Sequence, residues 1–281
     1  MTPQTVNLLR KILLFAAPAV VGIALALIVA SPKDTPALLT PSVTQPIMSP
    51  VVDPRLAYVQ QQLVTSGFEE AEVNKVLTDI RLQIYPLQTV AHKTPNWTLI
   101  RRKLYSSNYV QQGKNYIRTN QAAFDKAEQD FGVPKGIITG IIAVETEFGK
   151  NTGSTPTFNA IYSRLNYKKP EENWRLEAER LIALSKYCLQ FNLDCYAIKG
   201  SYAGAMGIVQ FMPDSLMNYG IDGDGNGIIE LLNPADAIPS AANFLKKHGW
   251  DDDQKRALTS YYGSSVGYPD IVLTYASLLA K

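Results

Sequence analysis

GIIAVETEFGK, residues 140–150, is the stretch that decides the fold, because a run of apolar residues leads directly into two glutamates. The surrounding segment, residues 135–148, predicts a helix, and the glycine after it predicts where that helix stops. Residues two apart on a helix point about 200° away from each other, at roughly 100° per residue. Glu145 and Glu147 therefore cannot form a pair of carboxylates on one helix face.

Glu145 follows Ile141 and Ile142 at a spacing of four and three residues, so the three side chains share one helix face. If that face is buried, loss of water raises the pKa of the Glu145 carboxyl and keeps it protonated near neutral pH, as a general acid requires. The alternative is that Glu145 and Glu147 both solvate the end of a helix.

The composition of the chain excludes several classes of function. Of 281 residues, 46% are hydrophobic and 19% are charged, which is typical of a globular protein. The 27 basic and 25 acidic residues give a net charge of +2 without a dense basic run, so we expect no nucleic-acid partner. His92 and His248 lie far apart and outside any metal or nucleophile motif, which disfavours a Ser-His-Asp or zinc hydrolase.

The N-terminal region predicts a membrane anchor. Arg10 and Lys11 precede an uncharged stretch, residues 12–31, which approaches the roughly 20 residues needed to cross a bilayer. We expect residues 1–11 to be cytoplasmic and everything after the anchor to be outside. The alternative is a signal peptide cleaved near Ala30. Residues 32–53 carry five prolines and predict an extended linker.

The body of the chain, residues 54–281, is predicted to be mainly α, with no alternating run long enough for a large sheet. Residues 109–132 predict one long helical segment that ends at a glycine, after an interruption by KTPNWTL, residues 93–99. Further helices are predicted over three segments, residues 174–189, 234–249 and 269–281.

A second segment, KGSYAGAMGIVQFMPDSLMNYG, spans residues 199–220 and is dense in small residues. Glycine and alanine at this density allow a close approach of the backbone. One interpretation is tight packing; the other is a groove wall in which Ser201 and Gln210 offer hydrogen bonds to a hydroxyl-rich ligand.

The two cysteines, Cys188 and Cys195, lie seven residues apart. An exported protein meets an oxidising compartment, where they are predicted to form a disulfide. The alternative is two buried thiols.

In order along the chain, GIIAVETEFG, KGSYAGAMGIVQFMPDS and IDGDGNGIIELLNPADAIPSAANFLKKHGW resemble the lytic murein transglycosylase B family of bacterial enzymes. The resemblance covers residues 54–281 and implies a lysozyme-like α core with additional helical subdomains. It implies that Glu145 acts alone. The carboxyl would protonate the oxygen between N-acetylmuramic acid and N-acetylglucosamine, then accept the proton of the muramic 6-hydroxyl as a 1,6-anhydro ring closes.

This resemblance also implies partners and a location. Peptidoglycan strands would be the substrate, and the anchor would hold the protein at the periplasmic face of the inner membrane, or release it to the periplasm if a signal is cleaved. Two rivals remain open: a hydrolytic muramidase on the same fold, and a non-catalytic peptidoglycan-binding or scaffold protein.

The loop DGDGNGIIELLNPAD, residues 222–236, resembles the first half of an EF-hand, with Asp222, Asp224 and Asn226 at loop positions one, three and five. Position twelve is Asn233 and not the usual glutamate. The resembled family has a longer loop, which implies Asp236 as the last carboxylate and the Ile228 carbonyl as a further ligand. We expect a structural calcium ion and no organic cofactor; the alternative is an Asp/Gly turn without metal.

LTSYYGSSVGYPDIV, residues 258–272, resembles the substrate-binding segment of the family, which implies sugar contacts from Tyr261 and Tyr268. Tyr262 stands where the family commonly has asparagine, and one extra residue separates Ser264 from Tyr268. Packing within the protein is the alternative for each tyrosine.

We predict that the full-length protein keeps its anchor. Intact-mass spectrometry of the protein isolated from membranes is expected to find residues 12–31 still attached, because the uncharged stretch exceeds the roughly 7–15 residues of a usual signal-peptide core. A mature N-terminus near residue 31 would contradict the anchor and favour release into the periplasm.

Overall fold

The structure is a computed structural model that describes residues 53–86, 95–168, 174–263 and 267–281. Residues 50–281 form one compact unit. The predicted anchor and almost all of the predicted linker lie outside the described residues, as does His92. In the part of the chain that is described, no helix has both the length and the hydropathy needed to cross a membrane.

The prediction of a mainly α fold is confirmed, and twelve helices and one short sheet make up the described residues. The helices are α1 (Pro54–Thr65), α2 (Glu70–Leu77), α3 (Trp97–Leu104), α4 (Ser107–Thr119), α5 (Gln121–Phe131), α6 (Lys135–Thr146), α7 (Thr157–Tyr167), α8 (Arg175–Phe191), α9 (Pro213–Tyr219), α10 (Pro234–Lys247), α11 (Gln254–Tyr262) and α12 (Tyr268–Leu279). The strands are β1 (Thr155–Pro156) and β2 (Lys199–Gly200), which pair antiparallel.

The prediction of one long helical segment over residues 109–132 was wrong, because Asn120 separates α4 from α5. Its backbone lies outside the helical region, at φ −112° and ψ 28°. The Asn120 side-chain amide donates a hydrogen bond to the Tyr116 carbonyl at 2.9 Å, which satisfies the last turn of α4. Asparagine competes with the helix in this way because its short side chain reaches nearby backbone groups.

α6 and α12 pack closely because α6 presents glycine to its neighbour. A Cβ atom added at Gly136 would lie 3.3 Å from the backbone of Ala276, and one added at Gly140 would lie 3.1 Å from the Val272 side chain. From Gly136 to Gly140 the contact on α12 moves from Ala276 to Val272, four residues towards the start of that helix. The two helices are therefore antiparallel. One more step of four brings the last turn of α6 beside Tyr268.

α6 ends abruptly at Thr146, before the predicted stop at Gly149. Glu147, Phe148 and Gly149 all adopt the left-handed region, with φ values of 54°, 63° and 84°. The Thr146 hydroxyl donates to the Ile208 carbonyl at 2.8 Å and accepts from the Gly149 amide at 3.0 Å. This buried threonine fastens the end of α6 to the segment that follows β2.

That segment is held by short backbone pairings. Gly200 bridges to Met206, and Met206 bridges to Phe211. A Cβ atom at Gly153 would lie 2.1 Å from the Gly200 carbonyl, so this crossing needs glycine. The small residues of the sequence therefore serve close packing here, and the same segment also forms one wall of a cleft.

Candidate active site

Glu145 lies in the last turn of α6, a few residues before the loop, residues 150–155, that lines a polar cleft. Its side chain is partly accessible, yet enough protein surrounds the carboxyl to hinder its ionisation. Burial raises the pKa of Glu145 to about 7, and the nearby hydroxyl of Tyr268 opposes that rise. At neutral pH a large share of the carboxyl therefore carries a proton that it can donate.

Tyr268, the first residue of α12, lies next to Glu145 in the interior of the protein. Its side chain is fully buried, and its hydroxyl lies beside the Glu145 carboxyl, although the two groups do not meet in a hydrogen bond of regular geometry. Burial and the adjacent carboxyl raise the pKa of Tyr268 well above its usual value. The Tyr268 side chain has no accessible surface in this structure, and a sugar contact from its ring remains a prediction.

Tyr261 lies on one side of Tyr268, with its ring parallel at a centroid distance of 6.5 Å and an interplanar angle of 7°. Its hydroxyl donates a hydrogen bond to the Val209 carbonyl at 2.8 Å. The ring also packs against Phe244 at 4.9 Å. The hydroxyl of Tyr261 is thus occupied in fixing α11 to the cleft wall, and a sugar contact from its ring remains a prediction.

Tyr262 also stacks on Tyr268, and the sequence analysis did not select it as a site residue. The two rings stack at 4.4 Å with an interplanar angle of 20°. Trp97 meets Tyr262 edge-on at 5.6 Å. The signal that could have identified Tyr262 was its position next to Tyr261, at the end of α11.

A polar cleft of about 590 Å³ is walled by the loop after α6 and by the segment after β2; its lining includes Lys150, Thr152, Ser201, Tyr202 and Gln210. The Ser201 hydroxyl oxygen accepts from the Ala205 amide at 3.1 Å, which leaves its proton for a ligand. Ser201 and Gln210, predicted together from the sequence, do line one cleft.

Gln210 has a left-handed backbone at φ 52°, a conformation that is rare outside glycine and asparagine. Its side-chain amide donates to the Thr152 carbonyl at 3.2 Å and to the Gly207 carbonyl at 2.9 Å. These bonds orient the side-chain oxygen, which accepts no hydrogen bond from the described residues. That oxygen is the part of Gln210 that could receive a hydroxyl proton from a ligand.

Glu147 is directed away from Glu145. Its carboxylate forms an ion pair with Lys103 of α3 at 2.5 Å, and both side chains are about half exposed. It also interacts with the Tyr109 hydroxyl, where burial first and the Glu147 charge second raise the pKa of Tyr109 to about 12. The predicted helix over residues 135–148 does not reach Glu147: α6 ends at Thr146, and Glu147 has a left-handed backbone at φ 54°, so helix periodicity does not set the direction of its side chain.

The acidic loop brings three carboxylates together. One oxygen from each of Asp222, Asp224 and Asp236 lies within 4.8 Å of the other two. Asp236 is fully buried and accepts from the Glu230 amide at 2.8 Å and from the Gly223 amide at 2.9 Å. Converging carboxylates held by backbone amides fit a calcium ion, since its charge would offset their mutual repulsion.

The other two predicted ligands, Asn226 and the Ile228 carbonyl, belong to the same loop as the three carboxylates. Asn226 donates to Asp224 at 3.3 Å, and its side-chain oxygen accepts from the Ile228 amide at 2.8 Å, so Asn226 and Ile228 belong to the same turn. Asn233, at position twelve, donates to Asp224 at 2.8 Å and caps α10. Asn233 therefore helps to orient a carboxylate where a standard loop would supply one.

Cys188 and Cys195 form a disulfide with Cα atoms 5.5 Å apart, and both residues are buried. The bond closes the turn that leaves α8. Neither cysteine is among the residues that line the polar cleft.

A helical fold that carries a partly accessible acid with a raised pKa, a few residues before a loop that lines a polar cleft, is typical of the lysozyme-like class. Within that class, the model of the family described as Transglycosylase SLT domain matches residues 52–264, and the chain belongs to this family. It is similar to the membrane-bound lytic murein transglycosylase B of Escherichia coli (strain K12), with 32% identity over 226 residues. That match covers 76% of this chain, and the chain spans 62% of the relative.

The fold is shared with solved structures of lytic transglycosylases. Slt35 of Escherichia coli, solved in complex with bulgecin A and with calcium, matches at a TM-score of 0.71 and 24% identity over 82% of this chain and 93% of its own. Soluble lytic transglycosylase SltB1 of Pseudomonas aeruginosa matches at 0.70 and 24% identity, over 81% and 98%. The lysozyme-like fold is thereby confirmed.

We predict that Tyr268→Phe raises the pKa of Glu145 further above its value of about 7, because the variant removes the hydroxyl that favours the ionised carboxyl. Carbon-13 NMR of labelled glutamate side chains would follow the titration. Tyr196→Phe is the matched control, since that hydroxyl bonds to the Val76 carbonyl instead. A pKa of Glu145 that falls or stays constant in Tyr268→Phe would contradict this electrostatic assignment.

Proposed function

We propose that the protein is a peptidoglycan lytic transglycosylase that cleaves the β-1,4 bond between N-acetylmuramic acid and N-acetylglucosamine. The observation that carries this proposal is a partly accessible carboxyl with a pKa of about 7 that no second carboxylate perturbs among the described residues. Membership of the SLT family and the activity named for the E. coli relative support it.

A single acid fits this reaction better than it fits ordinary hydrolysis. Glycosidases with two carboxyl groups place them about 5–9.5 Å apart, because the second must attack the sugar or activate water. Here Glu147 is paired with Lys103. If the muramic 6-hydroxyl is the nucleophile, the substrate supplies the second group itself.

In the proposed reaction the Glu145 carboxyl takes part in two proton transfers, first as an acid and then as a base. The carboxyl first donates it to the bridging oxygen as the bond from that oxygen to muramic C1 breaks. The muramic O6 then bonds to C1, and its proton passes to the Glu145 carboxylate. The acid is restored, no water is consumed, and the product carries a 1,6-anhydro ring. Activity should decline as pH rises through about 7, because the protonated fraction of Glu145 falls.

Cleft and loop residues have supporting roles in the proposal. Ser201 and Gln210 would bind sugar hydroxyl or acetamido groups from the cleft wall. A calcium ion would be held by Asp222, Asp224 and Asp236, with Asn226 and the Ile228 carbonyl completing the set; the calcium complex of Slt35 supports this part. Such an ion would supply no chemistry to the reaction and would stabilise the loop that precedes α10.

We further propose that residues 54–281 are the catalytic domain and that residues 12–31 hold it at the periplasmic face of the inner membrane, with residues 32–53 as the linker. The membrane-bound character named for the E. coli relative supports an envelope location. Peptidoglycan strands would then lie within reach of the domain.

Glu145→Gln is predicted to lower the release of anhydromuropeptides by about 10²–10⁴-fold, since it removes the acid and base. Glu147→Gln is the matched control and should retain most activity, because it removes one half-exposed ion pair. Liquid chromatography with mass spectrometry of digested peptidoglycan would measure both. Products heavier by one water would indicate a muramidase, and release of no fragments by the wild type would indicate a non-catalytic protein.

Calcium is predicted to raise the melting temperature, and EDTA to lower it. A ligand at 100 times its Kd stabilises the folded state by about 2.7 kcal/mol, which corresponds to roughly 5–10 °C for a domain of this size. Asp224→Asn should remove most of the shift. Asp252→Asn, at a side chain that is 82% exposed, should keep it. A melting temperature that ignores both calcium and EDTA would support the turn without metal.

A further inference from the structure

Tyr262 is an exposed aromatic residue that is held rigidly. It ends α11 and keeps 37% of its surface accessible. Its ring stacks on Tyr268 with the centroids 4.4 Å apart, and the Trp97 ring lies at 5.6 Å with the two planes inclined by 65°. Contacts with two rings fix the plane of the Tyr262 ring, while more than a third of the residue's surface stays accessible.

The position of Tyr262 relative to the acid follows from the ring stack. Tyr268 lies between Tyr262 and the body of the protein, and the Tyr268 hydroxyl adjoins Glu145. Burial is the main cause that raises the pKa of Tyr262, with smaller contributions from Glu145 and Tyr202. Tyr262 is thus separated from the acid by one ring, that of Tyr268.

Tyr202 belongs to the same region and is 54% exposed. It lines the polar cleft together with Ser201 and Gln210. Two accessible tyrosines therefore come from different parts of the chain, one from the cleft wall after β2 and one from the end of α11. Exposed apolar surface of this kind, next to convergent polar groups, is typical of a ligand site.

We propose that Tyr262 is an aromatic platform on which a pyranose ring of the bound glycan stacks beside Glu145, so that it determines which sugar the site accepts. This inference rests on the proposed function. A β-linked N-acetylated hexosamine has equatorial substituents, so the axial hydrogens leave an apolar surface on each ring face. A flat aromatic ring complements such a face by apolar contact and offers it no directional hydrogen bond.

The platform distinguishes this chain from the family pattern that its sequence resembles. An asparagine at the position of Tyr262 would recognise a sugar through hydrogen bonds of its amide. A tyrosine instead makes apolar contact with the sugar ring. Such contact tolerates changes in the pattern of hydroxyl groups, but an axial substituent on the stacked face would prevent it. Tyr262 is therefore assigned to substrate selection, and proton transfer stays with Glu145.

Binding of chitotetraose to the full-length protein tests the platform, with Glu145→Gln as the background so that no cleavage occurs. Isothermal titration calorimetry would compare Tyr262→Phe, which keeps the ring, with Tyr262→Leu, which keeps an apolar side chain without it. We expect Tyr262→Phe to bind within about twofold of the background and Tyr262→Leu to bind about tenfold more weakly. Tyr167→Leu, at a tyrosine that is 49% exposed on α7, should bind as the background does.

Two further measurements distinguish a role of Tyr262 in sugar binding from a role in holding Tyr268 in place. With Glu145 present, Tyr262→Leu should raise KM for peptidoglycan while kcat and the pH dependence of kcat stay unchanged. Equal affinity of Tyr262→Leu and Tyr262→Phe for chitotetraose, or a shifted pH profile with unaltered KM, would overturn the platform. If the Glu145→Gln background binds no chitotetraose and the wild type releases no muropeptides, the proposed function itself fails.

Discussion

The close contact between α6 and α12 is the constraint on which the rest of the site depends. Gly136 and Gly140 have no side chains to hold the helices apart, so the backbone of α12 lies directly on α6. A methyl group at either position would require a shift of a few tenths of an ångström in a tightly packed interior. The antiparallel register then fixes which residue of α12 reaches the last turn of α6, and that residue is Tyr268.

The acidity of Glu145 is consequently a property of the tertiary structure. Its carboxyl belongs to one helix, the opposing hydroxyl belongs to another, and the ring stack with Tyr262 comes from a third. Thr146, the next residue along, ties the same helix end to the Ile208 carbonyl in the cleft wall. The acid and the wall that would bind the sugar therefore keep a fixed separation, which is what a reaction sensitive to small displacements requires.

Much of this arrangement could be predicted from the sequence, and the rest depended on contacts between distant segments. The sequence indicated that Glu145 and Glu147 are not a helix-borne pair, although Glu147 lies beyond the end of α6. The Asp/Gly spacing anticipated Asp222 and Asp224, whereas Asp236 was implied by the family resemblance. The break at Asn120 was missed because a side-chain bond to the backbone leaves no mark on apolar periodicity. Burial of the Tyr268 ring was left as one of two alternatives, because it depends on a helix register set by two glycines more than 120 positions earlier.

The direction in which α6 runs also favours the protonated form of the Glu145 carboxyl. Peptide dipoles along a helix give its carboxyl end a partial negative charge, and Glu145 lies in that final turn. A negative carboxylate there is disfavoured by the helix as well as by its apolar surroundings. The same residue at the amino end of an equally buried helix would meet free amide groups and lose its proton more readily. The polarity of one helix thus favours a proton donor here over a permanent anion.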